Sequence, residues 1–161
     1  MPKISARRWP QRWGDLTLSK ADGLLKLDEH LARHRLADLF LDTLPYNAHT
    51  TASDALWAGL PVLTCMGNTF AGRVAGSLLN AVGLPELITH SLAEYEALAL
   101  RLVTTPSLLA GVRAKLAQNR NCYPLFDTER FRRHIESAYI TMWERYQRGN
   151  PPVSFAVQPV H

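Results

Sequence analysis

The chain has 161 residues, 47% hydrophobic and 20% charged, which is ordinary for a globular domain and argues against a disordered chain. Its net charge of +4 includes +3 from residues 1–22, where five Lys or Arg face two Asp, so the remainder lacks the charge of a nucleic-acid-binding surface. No stretch approaches the roughly 18 apolar residues of a membrane span, and no apolar run follows the basic N-terminus as in a secretory signal. We therefore expect a cytoplasmic protein with no nucleic-acid partner and no membrane partner.

Strands and helices alternate in the first half of the chain, after a basic leader (residues 1–26) that has no regular periodicity. The predicted elements are a helix over "DEHLARHRLA" (28–37), a strand over "DLFLD" (38–42), a helix from Thr50 or Thr51, a strand over "PVLTCM" (61–66) and a helix over 69–82. Gly59 suits the position just after the middle helix, and Pro61 prevents that helix from continuing. This order predicts an α/β fold with a parallel sheet.

Helices are predicted for the chain after about residue 90. Ser91 and Glu94 form a capping box ahead of one helix, and the Thr-Pro pair at 105–106 begins another. The last helix spans about 127–148. We predict that the apolar stripe of this helix is core rather than a cofactor site. The stripe consists of Phe131, Ile135, Ala138, Tyr139, Met142 and Tyr146, with Trp143 beside it.

Two cysteines, Cys65 and Cys122, are too few for a disulfide framework. Cys65 lies in an apolar strand, so we expect a buried, reduced thiol there. The His, Cys, Asp and Glu residues show no metal-site clustering along the sequence. We therefore expect no metal and no cofactor.

A polar cluster, "NAHTTASD" (47–54), stands where the middle helix begins. A helix N-terminus presents unpaired N–H groups and a partial positive charge, which together favour phosphate. The hydroxyls of Thr50 and Thr51 and the ring of His49 add donors there, and Asp54, one turn later, is placed to bind a sugar hydroxyl. The same residues also fit a plain capping box with Thr51 as N-cap and Asp54 as its partner. Local sequence leaves both interpretations open.

A longer pattern, H-T-T-x-x-D-x-L-W-x-G-x-P, starts at His49, and "EHLARHR" precedes it. The stretch "LADLFLDTLPYNAHTTASDALWAGLPVLTC" resembles the C-terminal lobe of the O-linked N-acetylglucosamine transferases, the family that includes the SPINDLY-like proteins. The resemblance continues through "AGRVAGSLLNAVGLPELI", "EYEALALRL" and "PLFDTERF" to "MWERYQRGNPP". It implies the second, Rossmann-like lobe of a two-lobed (GT-B) glycosyltransferase, with an incomplete parallel sheet followed by C-terminal helices. The lobe would span residues 27–152, followed by an extended tail over 153–161.

The resemblance also implies which residues bind a UDP-sugar: His30, Arg33, His49, Thr50, Thr51 and Asp54. The triplet at 49–51 would meet the diphosphate and stabilise it as the leaving group. Asp54 would bind the ribose, His30 would lie against the uracil, and Arg33 would reach the base or its surroundings. Three histidines match no family site and are expected to be surface residues: His34, His90 and His134. Arg73 could be a further phosphate neighbour or a solvated charge, and we expect the latter.

The reaction that the resemblance implies moves N-acetylglucosamine from UDP-GlcNAc to a Ser or Thr hydroxyl of a protein, with inversion. Fixed donors and a helix dipole at the departing diphosphate are an electrostatic form of catalysis. The acceptor would bind to a first lobe and to tetratricopeptide repeats that the resemblance does not include, so we expect this chain to be inactive alone. Two alternatives remain: a non-catalytic remnant that binds UDP weakly, and a module that docks on a separate first lobe. Self-association through the apolar stripe of the last helix is a further expectation.

Overall fold

The structure is a computed structural model that describes residues 26–159. Three parallel strands form the centre of its fold. All of the predicted leader except Lys26, and the last two residues of the predicted tail, lie outside the described residues. The elements are α1 (Leu27–Arg33), β1 (Phe40–Leu41), α2 (Thr50–Trp57), β2 (Val62–Cys65), α3 (Val74–Ala81), β3 (Ile88–Thr89), α4 (Leu92–Thr104), α5 (Pro106–Asn119) and α6 (Thr128–Gln147), with 3-10 turns at His34–Leu36, Pro85–Leu87 and Pro124–Phe126. The α/β class, the parallel sheet and the helical second half are therefore as predicted.

The sheet has the order β1-β2-β3, with β2 in the middle. Phe40 pairs with Val62 on one side of β2, and Cys65 pairs with Thr89 on the other. All four residues of β2 are buried, as expected for the central strand of a parallel sheet. The carboxyl ends of the three strands therefore lie along one edge, where α/β folds bind their ligands.

Helix α2 joins the core because its apolar residues recur at helical spacing. Ala52, Ala55 and Leu56 are fully buried and share one face of the helix. Ala75 and Leu79 of α3 are buried in the same cluster. This packing fixes the axis of α2, and with it the position of the helix N-terminus at the edge of the sheet.

Regular structure at the start of the described chain is shorter than the sequence predicts. The strand predicted over 38–42 is confined to Phe40–Leu41. The helix predicted over 28–37 ends at Arg33 and continues as a 3-10 turn. Leu36, near the end of the predicted helix, is 58% exposed and does not belong to a buried face.

The helix predicted over 69–82 begins only at Val74. Residues before it close a loop instead: the Gly67 N–H donates to the Gly72 carbonyl at 2.7 Å, and the Gly72 N–H donates to Thr69 Oγ1 at 3.1 Å. These bonds satisfy backbone groups that a longer helix would otherwise have paired. Thr69 therefore stabilises a turn rather than a helix N-terminus.

The helices after β3 begin where their capping residues predict. Ser91 Oγ accepts a hydrogen bond from the Glu94 N–H at 3.2 Å, and Glu94 Oε2 accepts one from the His90 N–H at 2.9 Å. Pro106 occupies the first turn of α5, and the side chain of Asp127 caps α6. These predictions are confirmed, with the difference that Glu94 reaches back to His90 rather than to Ser91.

Polar side chains tie α5 to the lobe. The buried Asn119 donates through Nδ2 to the carbonyls of Val82 at 2.9 Å and Gly83 at 3.2 Å. Arg113 Nη2 donates to the Ala37 carbonyl at 2.7 Å. Helix α5 is thus anchored to residues of the α/β part that lie far away in the sequence.

The apolar stripe of α6 faces solvent rather than a core. No residue of α6 is buried, and Phe131, Tyr139 and Tyr146 are 67%, 62% and 73% exposed. The better covered positions of the helix include Ile135 and Ala138 of the stripe as well as the small polar residues Ser137 and Thr141. No other element of the described chain covers the stripe, so it is not part of the core there. The expected self-association through the stripe stays a prediction.

Both thiols are free, with Cys65 buried and Cys122 exposed. The buried, reduced thiol predicted for Cys65 is confirmed. Among residues 26–159, no helix has the length and the apolar character that crossing a membrane requires.

Candidate functional site

Two loops meet at the carboxyl edge of the sheet, one after β1 and one after β2. The Asn47 N–H in the first loop donates to the Ala71 carbonyl in the second at 3.0 Å. A Cβ on Gly72 would lie 3.1 Å from the Pro45 carbonyl oxygen, closer than most side chains tolerate. Because Gly72 has no side chain, the two loops can touch at this edge of the sheet.

The ring of His49 is held between these loops. It stacks on Tyr46 with ring centres 4.9 Å apart and meets Phe70 edge-on at 6.1 Å. His49 Nε2 lies 3.3 Å from the Ala71 carbonyl oxygen, and because a carbonyl only accepts, Nε2 carries the hydrogen of this bond. The remaining ring nitrogen, Nδ1, has an acceptor lone pair in the neutral ring and a second N–H in the charged ring.

The N-terminus of α2 is not closed by a side chain. His49 occupies the N-cap position, with φ −106° and ψ −88°, and its side chain makes no cap hydrogen bond. Thr50 and Thr51 are the first two helical residues, and both are exposed. The interpretation in which Thr51 caps the helix with Asp54 as its partner is therefore wrong. The helix end presents N–H groups beside two hydroxyls.

Asp54, one turn into α2, faces His30 of α1. Its Oδ2 lies 3.5 Å from His30 Nε2, and the side chains of His30 and Asp54 are 30% and 26% exposed. Arg33 Nη2 lies 2.9 Å from His30 Nδ1. Because a guanidinium has no acceptor, Nδ1 accepts that bond and Nε2 carries the hydrogen that faces the carboxylate. The structure thus joins His30, Arg33 and Asp54 in one series of contacts.

Asp42 is a candidate that the sequence analysis misses. It directly follows β1 and is only 5% exposed. Its Oδ1 accepts hydrogen bonds from the N–H groups of Thr43 at 2.8 Å and Ala48 at 2.7 Å, and its Oδ2 accepts one from the Thr64 hydroxyl at 2.6 Å. An acidic residue at the carboxyl end of a buried strand is the sequence feature that could have identified it.

Tyr95 of α4 contacts the backbone of Asp42. Its hydroxyl donates to the backbone carbonyl of Asp42 at 2.9 Å. Burial, followed by the nearby charges of Asp42 and Cys65, raises the pKa of the Tyr95 phenol. The hydroxyl therefore remains a protonated donor throughout the neutral range.

The remaining candidates lie outside this series of contacts or support it. His34, partly buried rather than fully on the surface, donates through Nδ1 to the His30 carbonyl at 3.2 Å. Arg73 and His90 are exposed, and His134 is partly buried. Within the described residues, no group of three or more His, Cys, Asp or Glu side chains could hold a metal ion. That the donor site works without a metal stays a prediction.

A groove of about 530 Å³ lies at the other end of α2, beside Trp57. It is lined by residues of α1, by the last turn of α2 and by Arg120, whose guanidinium lies 5.5 Å from the centre of the Trp57 ring. Because Trp57 is the last residue of α2 and Thr50 the first, this groove is separate from the polar end of the helix. The candidate site is therefore an exposed edge rather than an enclosed cavity.

Comparisons with known proteins find relatives over most of the chain. The sequence profile of glycosyl transferase family 41 matches residues 22–135. The UDP-N-acetylglucosamine–peptide N-acetylglucosaminyltransferase of Caenorhabditis elegans is 42% identical over 124 residues, which are 77% of this chain and 11% of that protein. The probable enzyme of the same name, SEC, of Arabidopsis thaliana is 42% identical over 130 residues, 80% of this chain and 13% of that protein.

A solved structure shows the same fold. An O-GlcNAc transferase mutant from Thermobaculum terrenum superposes with a TM-score of 0.69 at 38% identity, covering 74% of this chain and 23% of that chain. The resemblance seen in the sequence is thereby confirmed, although the chain spans only 11% and 13% of the length of the two curated relatives. The profile match and these identities show that the chain belongs to glycosyl transferase family 41.

Proposed function

We propose that residues 27–152 form the donor-binding part of a protein O-GlcNAc transferase, which moves N-acetylglucosamine from UDP-GlcNAc to a Ser or Thr hydroxyl of a protein. The observation that supports this most is the open N-terminus of α2. There a fixed His49 ring stands next to the exposed Thr50 and Thr51. The names of the two curated relatives state the donor and a peptide acceptor.

The diphosphate of UDP binds at this helix end in our proposal. The unpaired N–H groups and the helix dipole give the end a partial positive charge of about half a unit. The hydroxyls of Thr50 and Thr51 add two donors. His49 donates from Nδ1 when its ring is charged, while Nε2 stays bonded to the Ala71 carbonyl. The phosphates therefore meet neutral and charged donors without needing a metal.

The nucleoside half of UDP binds one turn further along, between α1 and α2. Asp54 accepts hydrogen bonds from the ribose hydroxyls. Its distance of 3.5 Å from His30 is longer than a normal hydrogen bond, so the carboxylate can turn to a ligand without losing a strong contact. His30, oriented by Arg33, lies against the uracil, and Arg33 reaches the base or its surroundings.

Leaving-group stabilisation is the chemical contribution that we assign to this chain. Negative charge grows on the diphosphate as its bond to the sugar breaks. Donors that are already fixed toward that charge stabilise the transition state without reorganising. Because the chain spans 11% and 13% of the two relatives' length, we assign acceptor binding and proton removal to segments outside these 161 residues. The chain by itself should then bind the donor without transferring the sugar.

A calorimetric titration of the purified chain with UDP, UMP and uridine tests the proposal. UDP should bind about tenfold or more tightly than UMP, because a hydrogen bond to a charged group contributes about 1.5–3 kcal/mol. Adding EDTA should leave the affinity for UDP unchanged. Equal affinity for UDP and UMP would reject the diphosphate assignment and leave the helix end with a structural role only.

A second candidate function, association through α6, is favoured by the exposure of its apolar stripe. Four aromatic residues contribute to this surface: Phe131, Tyr139, Trp143 and Tyr146. An aromatic side chain buries roughly 150–250 Å², so this set together with Met142 approaches the roughly 800 Å² that each partner of a stable complex buries. In this role the chain would act as a donor-binding module that pairs with a second copy through α6.

A further inference from the structure

The buried carboxylate of Asp42 takes part in none of the donor contacts proposed above. Its described partners are two backbone N–H groups and one hydroxyl, all uncharged. A buried carboxylate without hydrogen bonds is strongly unfavourable, so these donors determine where the side chain sits. In turn, the side chain determines where the donors sit.

The three hydrogen bonds have a specific geometry. Through Oδ1, Asp42 binds the N–H of Thr43 at the start of the loop after β1 and that of Ala48 at its end. Through Oδ2, it binds the hydroxyl of Thr64 in β2. One side chain therefore joins both ends of the loop to the central strand.

Tyr95 and Asn47 support the same loop from two further directions. The Tyr95 hydroxyl fixes the backbone carbonyl of Asp42 at 2.9 Å. Asn47 is fully buried, and its Nδ2 donates to the Thr43 carbonyl across the loop at 3.1 Å. Since Ala48 directly precedes His49, the place of the His49 ring follows from the anchored loop.

The residues of the proposed UDP site rest on two supports, because Thr50, Thr51 and Asp54 belong to α2 whereas the His49 ring lies between the two loops. Asp54 is placed by α2, whose face with Ala52, Ala55 and Leu56 is buried in the core. His49 lies outside the helix and is placed by the loop that Asp42 holds. Loss of the Asp42 carboxylate should loosen the contact of His49 with the diphosphate while leaving the contacts from α2 in place.

We infer that Asp42 is a positioning residue for the diphosphate: it touches no ligand and holds the loop that carries His49 in its binding arrangement before UDP arrives. The inference rests on the proposed function. A loop that adopts the binding arrangement only a tenth of the time weakens affinity about tenfold. The effect should therefore appear with UDP and be nearly absent with uridine.

The test compares Asp42→Ala with Asp42→Asn. Asparagine keeps one oxygen for the N–H groups of Thr43 and Ala48, and its NH₂ can donate to the Thr64 oxygen, so it should restore the arrangement. Asp38→Ala, which removes an exposed carboxylate just before β1, is the matched control. Affinities for UDP and uridine are measured by calorimetry, and amide hydrogen exchange is measured by NMR.

In Asp42→Ala, UDP should weaken by about tenfold, uridine by less than about twofold, and exchange at Ala48 should quicken by about tenfold. Exchange at the Val82 amide, which is bonded within α3's last turn, reports general destabilisation. Asp42→Asn and the control should resemble the wild type. Should Asp42→Ala not fold, Thr64→Val removes the Oδ2 partner alone and should give a smaller change of the same kind.

Two results would overturn the inference: unchanged Ala48 exchange in Asp42→Ala, or equal weakening of UDP and uridine. A wild-type chain that binds UDP no better than uridine would instead reject the proposed function. In that case Ala48 exchange still decides whether Asp42 holds the loop, so the two failures are distinguishable.

Discussion

His30 and Asp54 connect α1 to α2 through a polar contact, with Nε2 and Oδ2 3.5 Å apart. Helix α1 has no buried residue, so core packing does not hold His30 beside α2. The hydrogen bond from Arg33 to the other ring nitrogen orients the ring toward the carboxylate. The nucleoside half of the proposed site can therefore adjust to a ligand, whereas the half near His49 is fixed by two loops.

Asp54→Asn should weaken UDP by about 1.5–3 kcal/mol, the usual contribution of a hydrogen bond to a charged group. The melting temperature should change little, because the Asp54 side chain makes no cap hydrogen bond at the start of α2. Calorimetry and a melting curve check both expectations. Asp38→Asn, at an exposed carboxylate, is the control. A lower melting temperature with unchanged UDP affinity would contradict the ribose assignment.

His49→Ala should weaken UDP by about 1 kcal/mol or more, the contribution of one hydrogen bond, and leave uridine nearly unaffected. The reason is that the proposed partner of His49 is phosphate, while the nucleoside contacts come from His30 and Asp54. His90→Ala, which removes an exposed histidine at the end of β3, is the control. Parallel loss of UDP and uridine binding would show that His49 acts on the whole site instead.

Gly72→Ala should separate the two loops at the edge of the sheet. Its Cβ would lie 3.1 Å from the Pro45 carbonyl oxygen and 3.2 Å from Thr69 Oγ1, and such overpacking costs about 1–3 kcal/mol. Both the stability and the UDP affinity should fall. Gly111→Ala is the matched control, because its Cβ meets nothing within 4 Å and helix propensity should stabilise it by up to about 1 kcal/mol.

Urea unfolding and UDP titration measure these effects for both glycine variants. A Gly72→Ala chain as stable as the wild type would show that the loops tolerate a wider spacing. If its stability fell but UDP affinity did not, the loop contact would have no bearing on the diphosphate half of the site.

Apolar periodicity and turn residues were enough to predict the elements that build the site. The helix at Thr50, the glycine after it and the strand "PVLTCM" follow from local spacing, and Gly59 has the positive φ of 87° that such a helix end favours. For Asp54, local sequence favoured capping over binding of a sugar hydroxyl, since caps of this kind are common. The structure removed the capping alternative, because the partner of Asp54 is His30, twenty-four positions earlier in the chain.

Contacts between loops could not be predicted from the sequence. Asp42 reaches Thr64 across the sheet, and the turn at Thr69 bonds within a loop that packs on Asn47. Such pairs are set by how strands align rather than by local propensity. What covers Tyr139 and Tyr146 could not be predicted for a related reason: a helical stripe shows that one face is apolar, not what packs on it.

Folding stability should decline in alkali partly through Tyr95. Its pKa is raised in the folded chain from the ordinary value of 10.0, so the unfolded chain loses this proton first as the pH rises. The stability from Tyr95 is therefore fully present below about pH 10 and is lost as the pH rises toward the folded pKa. Tyr95→Phe should remove this part of the decline.

At neutral pH, Tyr95→Phe should also lower stability by about 1 kcal/mol, because the hydrogen bond to the Asp42 carbonyl is lost. Urea unfolding between pH 7 and about pH 11 measures both effects. Tyr139→Phe, at a 62% exposed tyrosine, should keep the wild-type profile. An unchanged alkaline decline in Tyr95→Phe would assign that decline to other groups.

The purified chain should self-associate through α6, because an exposed apolar surface of this size favours association. Tyr139→Lys should shift the equilibrium toward the monomer in sedimentation velocity runs. Glu144→Gln, which raises the charge of α6 by the same one unit outside the stripe, should not. A wild-type chain that sediments only as an 18.1 kDa monomer and binds no hydrophobic dye would reject this prediction.

A line of side-chain hydrogen bonds crosses all three strands of the sheet. The Thr89 hydroxyl donates to the Thr64 carbonyl at 2.9 Å, and the Thr64 hydroxyl donates to Asp42. Strands β1 and β3 have two residues each, so backbone pairing alone specifies their alignment weakly. A slip of one residue would turn Thr64 to the opposite face and leave the Asp42 carboxylate without its hydroxyl donor. The match between the Thr64 hydroxyl and the Asp42 carboxylate thus favours one register of β1 on β2, a register that two-residue backbone pairing specifies only weakly.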